Sequence, residues 1–76
     1  DFDPHQEKKP LTIKEQQEYI VSSFPGIGPT LSKPLLKKFK TIKKIVNAKK
    51  EQIEKVKNIG HIKAEEIRNV LETEYE

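Results

Sequence analysis

Two short glycine-containing segments of this chain are candidate anion-binding sites. They are residues 24–28, Phe-Pro-Gly-Ile-Gly, and residues 56–60, Val-Lys-Asn-Ile-Gly, which we call the first and the second hairpin. Glycine lets another molecule approach the backbone closely, and a helix that begins directly after such a turn has first amides without intrahelical partners. These amides, at the positive end of the helix dipole, suit a phosphate group.

The candidate phosphate contacts are the hairpin residues, the start of the following helix and the nearby lysines. In the first hairpin they are Gly26, Ile27, Gly28, Thr30 and Lys33, and in the second they are Lys57, Asn58, Ile59, Gly60, His61 and Lys63. We expect the Ile27 and Ile59 side chains to be semi-exposed props and the His61 ring to touch phosphate or nothing. A tight turn between helices often needs glycine for structure alone. The repetition, and the lysines beside the second hairpin, favour binding, more strongly at the second.

The two hairpins belong to an internal repeat with an offset of 32 residues. Gly28 aligns with Gly60, and Gly26 aligns with Asn58, the residue that next best tolerates a left-handed backbone. The other matched pairs are apolar or small: Val21 and Ile53, Phe24 and Val56, Ile27 and Ile59, Ser32 and Ala64, Leu35 and Ile67, Phe39 and Leu71. The repeated unit is therefore a helix, a five-residue hairpin and a second helix.

Local signals predict an all-α chain of five short helices around these hairpins. Thr12 and Glu15 form a capping box for a helix over 13–23, whose apolar side carries Ile13, Ile20 and Phe24. Pro29 suits the first position of the next helix. The predicted extents are residues 29–39 for that helix, 41–47 for a connecting helix capped by Thr41, 50–56 for the fourth and 61–73 for the last. No segment has the period-two pattern of a strand.

Two regions complicate this plan. Residues 1–11 contain two prolines and little apolar periodicity, so they are predicted to be a flexible linker that precedes a domain over 12–75. Pro34 lies inside the second helix, where it removes an amide that would bond to the Thr30 carbonyl. Either that helix kinks, or it starts later, with Ser32 near the cap and Pro34 in the first turn.

Positive charge is concentrated in the middle of the chain. Residues 33–63 contain eleven lysines against Glu51 and Glu54, although the net charge of the whole chain is only +3. Such a segment attracts polyanions. A solvated, lysine-rich surface is the alternative interpretation, typical of proteins from thermophiles.

Both hairpins resemble the helix-hairpin-helix motif, and the pair resembles the tandem domain of SAM-like or RuvA domain 2-like fold. Among proteins with this domain, the chain is most similar to the C-terminal domain of the XPF/Hef family of structure-specific DNA nucleases, in particular its archaeal Hef branch. The resemblance implies docking on the backbone of double-stranded, forked or junction DNA across the minor groove, independently of sequence. The alternatives are a purely protein–protein dimerisation module, or the tandem domain of another repair enzyme such as UvrC.

The same resemblance implies pairing, as a homodimer or with a paralogous subunit. A core this small without a disulfide also favours association. The expected interface consists of residues on the connecting helix and the C-terminal helix: Ile42, Ile45, Val46, Val70, Leu71 and Tyr75.

Composition argues against catalysis by these residues. The chain has no cysteine, and its two histidines, His5 and His61, are too far apart in sequence for a cluster. We therefore expect no catalytic residue, metal site or cofactor here, no membrane span, and a parent nuclease that needs Mg or Mn. We expect a piece of a longer intracellular protein, in the cytoplasm and nucleoid of an archaeon or the nucleus of a eukaryote.

Overall fold

The computed structural model describes residues 11–76. These residues form five α-helices and no strand: α1 (Ile13–Ser22), α2 (Gly28–Phe39), α3 (Ile42–Asn47), α4 (Lys50–Glu54) and α5 (His61–Glu72). The predicted all-α class and helix count are confirmed for this part of the chain, and every helix end lies within two residues of its expected position. The linker predicted for residues 1–11 falls almost wholly outside the described residues.

Side-chain caps explain why the helix starts were predictable. The Glu15 amide donates to Thr12 Oγ1 at 3.0 Å, and the Thr12 amide donates to Glu15 Oε1 at 2.9 Å. Thr41 caps α3 in the same way, because its Oγ1 accepts from the Lys44 amide at 3.0 Å. These hydrogen bonds satisfy amides that a helix start leaves without partners.

Helix α2 passes through Pro34 without restarting. It begins at Gly28, with Pro29 in its first turn, and continues to Phe39. The alternative of a later start near Ser32 was therefore wrong. The Ser32 hydroxyl instead donates to the Pro29 carbonyl at 3.2 Å and is buried inside the domain.

One apolar core joins the two repeat units. Helix α1 packs on α2, α4 packs on α5, and α3 adjoins α2. The buried apolar side chains come from all five helices and both hairpins: Val21, Ile27, Leu31, Leu35, Ile45, Ala48, Ile53, Val56, Ile59, Ala64 and Ile67. Arg68 on α5 also donates to the Val46 carbonyl at the end of α3, which ties the connecting helix to the second unit.

The predicted apolar side of α1 was wrong at Ile13 and Ile20, although Phe24 at its end packs against the core. Ile13 and Ile20 are 71% and 45% exposed, whereas Val21, one position further on, is fully buried. Helix α1 packs mainly on α2, so only a narrow stripe of its surface is covered. None of the helices in residues 11–76 is long and apolar enough to cross a membrane.

Candidate nucleic-acid interface

Matching hydrogen bonds close the two hairpins. In each, the amide of the fourth residue donates to the carbonyl of the first: Ile27 to Phe24 at 3.1 Å, and Ile59 to Val56 at 3.0 Å. The side chains of these two isoleucines are 3% and 2% exposed, so the expectation that they are semi-exposed was wrong. They anchor the hairpins in the core, and their amides are already engaged inside the turn.

The third residue of each hairpin has a left-handed backbone. The φ angle is +73° at Gly26 and +70° at Asn58. The replacement of glycine by asparagine in the repeat therefore keeps the conformation, because asparagine tolerates positive φ better than other residues with a side chain. At this position the repeat offset of 32 thus applies to backbone conformation as well as to sequence.

The helix starts after the two hairpins differ by one residue. The N-cap of α2 is Ile27, whose carbonyl accepts from the Leu31 amide at 3.4 Å. The N-cap of α5 is Gly60, whose carbonyl accepts from the Ala64 amide at 3.1 Å. Gly28 consequently lies inside the helix with φ +62°, whereas its counterpart Gly60 precedes the helix with φ −91°.

This difference changes how many amides each hairpin can offer. At the start of α2, Gly28 and Thr30 have amides without an acceptor among residues 11–76, and Pro29 between them has no amide. At the start of α5, the three amides of His61, Ile62 and Lys63 have no acceptor in that part of the chain. Ile62 was not among the predicted contacts, although its place two residues after Gly60 could have identified its amide.

The two hairpins lie side by side. A Cβ built at Gly26 would be 3.1 Å from Cγ and 3.3 Å from Cδ of Lys63. The aliphatic stem of this lysine, from the second unit, therefore crosses the backbone of the first hairpin. Gly26 and Lys63, two predicted contact residues 37 positions apart in sequence, are thus in contact. The cationic Lys63 side chain lies where the two hairpins meet.

His61 has protein partners that its expected role did not include. Its Nδ1 lies 2.9 Å from Glu54 Oε2, and its Nε2 lies 3.7 Å from Glu65 Oε1. The ring is 60% exposed at the first position of α5. In the protein alone the ring thus contacts the Glu54 carboxylate, a partner that the sequence did not indicate, and its contact with phosphate stays a prediction.

The remaining predicted contacts are divided between the hairpins and another surface. Lys57 and Thr30 are exposed beside the second and first hairpins. Lys33 lines the groove between α1 and α2, together with Glu18. Lys33 is therefore part of a surface that extends away from the first hairpin.

The residues predicted for the dimer interface differ in how exposed they are. Ile45 is fully buried in the core of the domain, so its assignment to an interface was wrong. Ile42 and Leu71 are half-buried against the core, and Val46 is half-buried. Only Val70 and Tyr75 are well exposed, at 61% and 100%. Apolar side chains that the prediction missed are exposed on α5 and near α1: Ile62, Leu11, Ile13, Tyr19 and Ile20.

Comparison with protein families gives a match over residues 19–73 to the family described as SAM-like helix-hairpin-helix tandem. This range includes both hairpins and ends at Thr73, the C-cap of α5.

Similar proteins include two relatives and one solved structure from three organisms. MJ1505 of Methanocaldococcus jannaschii, which carries the name of an ATP-dependent RNA helicase, is 45% identical over 91% of this chain and 9% of its own length. The 3′-flap repair endonuclease Xpf of Saccharolobus solfataricus is 41% identical over 93% of this chain and 30% of its own. The structure of XPF from Aeropyrum pernix in complex with DNA has 37% identity and a TM-score of 0.82, over 93% of this chain and 36% of that one. The chain thus spans between 9% and 36% of the length of these proteins.

Proposed function

Since the chain belongs to the SAM-like helix-hairpin-helix tandem family, we propose that it is a DNA-binding and dimerisation module of an XPF/Hef-type helicase-nuclease. The predicted resemblance to XPF and Hef-like proteins is confirmed by the relatives. We propose that the module holds the phosphates of double-stranded, forked or junction DNA and does not read the bases. Support comes from the similar Aeropyrum pernix XPF, whose structure is a complex with DNA.

The position of Lys63 across Gly26 carries this proposal. This contact places the two hairpins on one surface. The helix starts there offer the amides of Gly28 and Thr30 in the first unit and of three α5 residues in the second. Amides and ammonium groups bind phosphate oxygens and are insensitive to base identity. Binding should therefore depend on the shape and charge of the DNA backbone.

We infer that cleavage of DNA belongs to another part of a longer protein. Among residues 11–76, no three His, Cys, Asp or Glu side chains are grouped so that they could hold a metal ion. The Mg or Mn expected for the parent nuclease would then bind outside the described residues. We also propose that the protein acts on DNA in the nucleoid and cytoplasm of an archaeal cell, because the three proteins compared above come from archaea.

Dimerisation is the second part of the proposal, and exposed apolar groups on α5 and the C-terminus favour it. Ile62, Val70 and Tyr75 are all more than 60% exposed, and a homodimer commonly joins self-complementary patches. Sedimentation equilibrium at micromolar concentration should show a species twice the 8.8 kDa mass of the chain. A concentration-independent 8.8 kDa species would contradict pairing.

The salt dependence of DNA binding tests the central proposal. If three to five phosphates are neutralised, the logarithm of the association constant should fall with the logarithm of salt with a slope of about −3 to −4.5. Replacing Lys57 and Lys63 by alanine should reduce the magnitude of that slope by about 2 for every duplex sequence. Replacing Lys43 and Lys44, which lie on α3 away from both hairpins in sequence, is the charge-matched control.

The result distinguishes a DNA-binding module from a module that binds only protein. A flat salt response, a strong preference for one base sequence, or an equal effect of the control pair would contradict phosphate binding at the hairpins. A dimer that binds no duplex would favour the purely protein–protein function.

A further inference from the structure

Two carboxylates flank the ring of His61, the first residue of α5. Its Nδ1 lies 2.9 Å from Oε2 of Glu54, the last residue of α4. Its Nε2 lies 3.7 Å from Oε1 of Glu65, one turn further along α5. The His61 side chain is 60% exposed and the Glu54 side chain 29% exposed. These three titratable groups lie at the helix start whose amides are proposed to hold a phosphate.

The group occurs in the second repeat unit and not in the first. At the repeat offset of 32, its three residues correspond to residues that are neither acidic nor histidine: Ser22, Pro29 and Lys33. The first turn of α5 itself has no acidic residue, and no side chain caps the helix, although an acidic residue there is stabilising. The start of α5 is therefore available to an external anion, with two negative groups beside it.

The charge of the His61 ring decides the net charge around the second hairpin. Residues 50–66, from the start of α4 to the second turn of α5, have four lysines and four glutamates: Lys50, Lys55, Lys57, Lys63, Glu51, Glu54, Glu65 and Glu66. This stretch is neutral with a neutral ring and positive with a protonated one. The first hairpin, which lies beside it, adds no titratable side chain.

The hydrogen bond to Glu54 fixes what each ring nitrogen can do. An ionised carboxylate only accepts hydrogen bonds, so Nδ1 carries a proton and donates it to Glu54. In a neutral ring Nε2 then has a lone pair, which cannot donate to a phosphate oxygen. The Glu65 oxygen, at 3.7 Å, is too far for a hydrogen bond to Nε2. A second proton on the ring would make Nε2 a donor with no hydrogen-bond partner among residues 11–76.

Phosphate binding and ring protonation therefore favour each other. Histidine ordinarily changes its charge between about pH 5 and 8. A phosphate at the α5 amides would be a third negative group near the ring, and nearby negative charge favours the imidazolium. Because such coupling is reciprocal, a proton on the ring strengthens phosphate binding by the same factor.

We propose that His61 contacts DNA phosphate as an imidazolium, so that duplex binding takes up one proton at the second hairpin. The proton comes from solvent and is held at Nε2, while Nδ1 keeps its hydrogen bond to Glu54. This rests on the proposed function, because the hairpins would hold the duplex. The first hairpin, with Pro29 in the equivalent place, would bind phosphate without proton uptake.

The test follows the affinity of the 76-residue chain for a blunt duplex by fluorescence anisotropy at constant ionic strength, from about pH 5.5 to about pH 8. Binding should be about fivefold tighter at the acid end, the factor expected for one added charge near a phosphate in water. The logarithm of the association constant should fall with pH with a slope no steeper than about −1, since one group takes up the proton. Circular dichroism at each pH checks that the helices persist.

Variants assign the proton to His61. His61→Gln should bind duplex with an affinity that does not change over this pH range. His5→Gln is the matched control, because the chain has two histidines, and it should keep the wild-type response. His61→Arg, whose charge is fixed, should retain at pH 8 the affinity that the wild type reaches at the acid end. Glu54→Gln keeps an acceptor for Nδ1 but removes a negative charge, so it should tighten duplex binding severalfold at pH 8.

Several results would overturn the inference. Duplex binding that is independent of pH, or an equal pH response in His61→Gln, would refute proton uptake at His61 and leave the hairpin function intact. Loss of the response in His5→Gln would assign the proton to residues outside the second hairpin. Weaker binding by folded Glu54→Gln would make the contact of Glu54 with His61 a structural brace instead. Absence of duplex binding at every pH would refute the proposed function as well.

Discussion

The two hairpins share a turn but not a helix start. Both close with an amide from the fourth residue to the first carbonyl, and both have a third residue with φ near +70°. After that point they diverge, since α2 begins one residue earlier in the repeat than α5 does. In both units the turn places an isoleucine side chain in the core, so both units need the same turn. The residues that follow the isoleucine, Gly28 and Pro29 in one unit and Gly60 and His61 in the other, are half-buried or exposed, so the core does not require them to match.

Because of this divergence, we expect the second hairpin to be the better phosphate site. Three consecutive amides at the start of α5 have no acceptor among residues 11–76, whereas Pro29 interrupts the corresponding series in α2. Lys57 and Lys63 belong to the second unit as well. Lys33, which follows the first hairpin on α2, instead lines a groove between α1 and α2. We therefore expect the second hairpin to contribute more to duplex binding than the first.

The largest expected effect tests whether both units share one core. Leu35 and Ile67 occupy equivalent repeat positions and are both fully buried. Replacing either by alanine should reduce the free energy of unfolding by about 2–5 kcal/mol. Urea unfolding followed by circular dichroism should show one cooperative transition for each variant. Two separate transitions, with one unit retained, would show that the units fold independently.

The glycines of the repeat should differ in their contribution to stability. Gly28→Ala should cost about 1–2 kcal/mol, because alanine does not readily adopt the φ of +62° found there. Gly60→Ala should leave the free energy of unfolding nearly unchanged, since φ is −91° and an added Cβ meets nothing within 4 Å. Equal losses in thermal or urea unfolding would contradict the different helix starts.

The smallest expected effect concerns the ends of the helices that follow the hairpins. Helix α5 ends at Thr73 with φ −75°, an ordinary value, whereas α2 ends at Lys40 with φ +75°. Lys40→Gly should therefore raise the free energy of unfolding by about 0.5–1 kcal/mol. Lys40→Ala is the control that removes the charge but keeps the strain, and it should not be stabilising.

Local signals explain what could be predicted from the sequence. Thr12, Thr41 and Pro29 act within one helical turn, so they identify helix starts without knowledge of the fold. Gly26 and Asn58 at matching repeat positions likewise indicated the left-handed turn residue. These signals predicted the tandem fold and the two hairpins.

Tertiary packing decided what could not be predicted. Ile20 and Val21 are neighbours of similar character, and only the docking of α1 on α2 determines that valine is buried. Ile45 was assigned to an interface because the number of residues that the core could cover was not evident in the sequence. The contact of Lys63 with Gly26 joins residues 37 positions apart and has no local signal.

The most direct test of phosphate binding by the hairpins is the affinity of Gly60→Ala for duplex DNA, measured beside its unfolding free energy. The protein itself has room for the added methyl group, so an effect on binding would arise from the DNA. Alanine keeps the backbone amide, but its methyl group would hold a phosphate away from the amides at this helix start. Loss of a hydrogen bond to a charged phosphate costs about 1.5–3 kcal/mol, which corresponds to at least about a tenfold weaker affinity. We predict that loss for every duplex sequence with an unchanged fold. Wild-type affinity in a fully folded variant would contradict binding at the second hairpin.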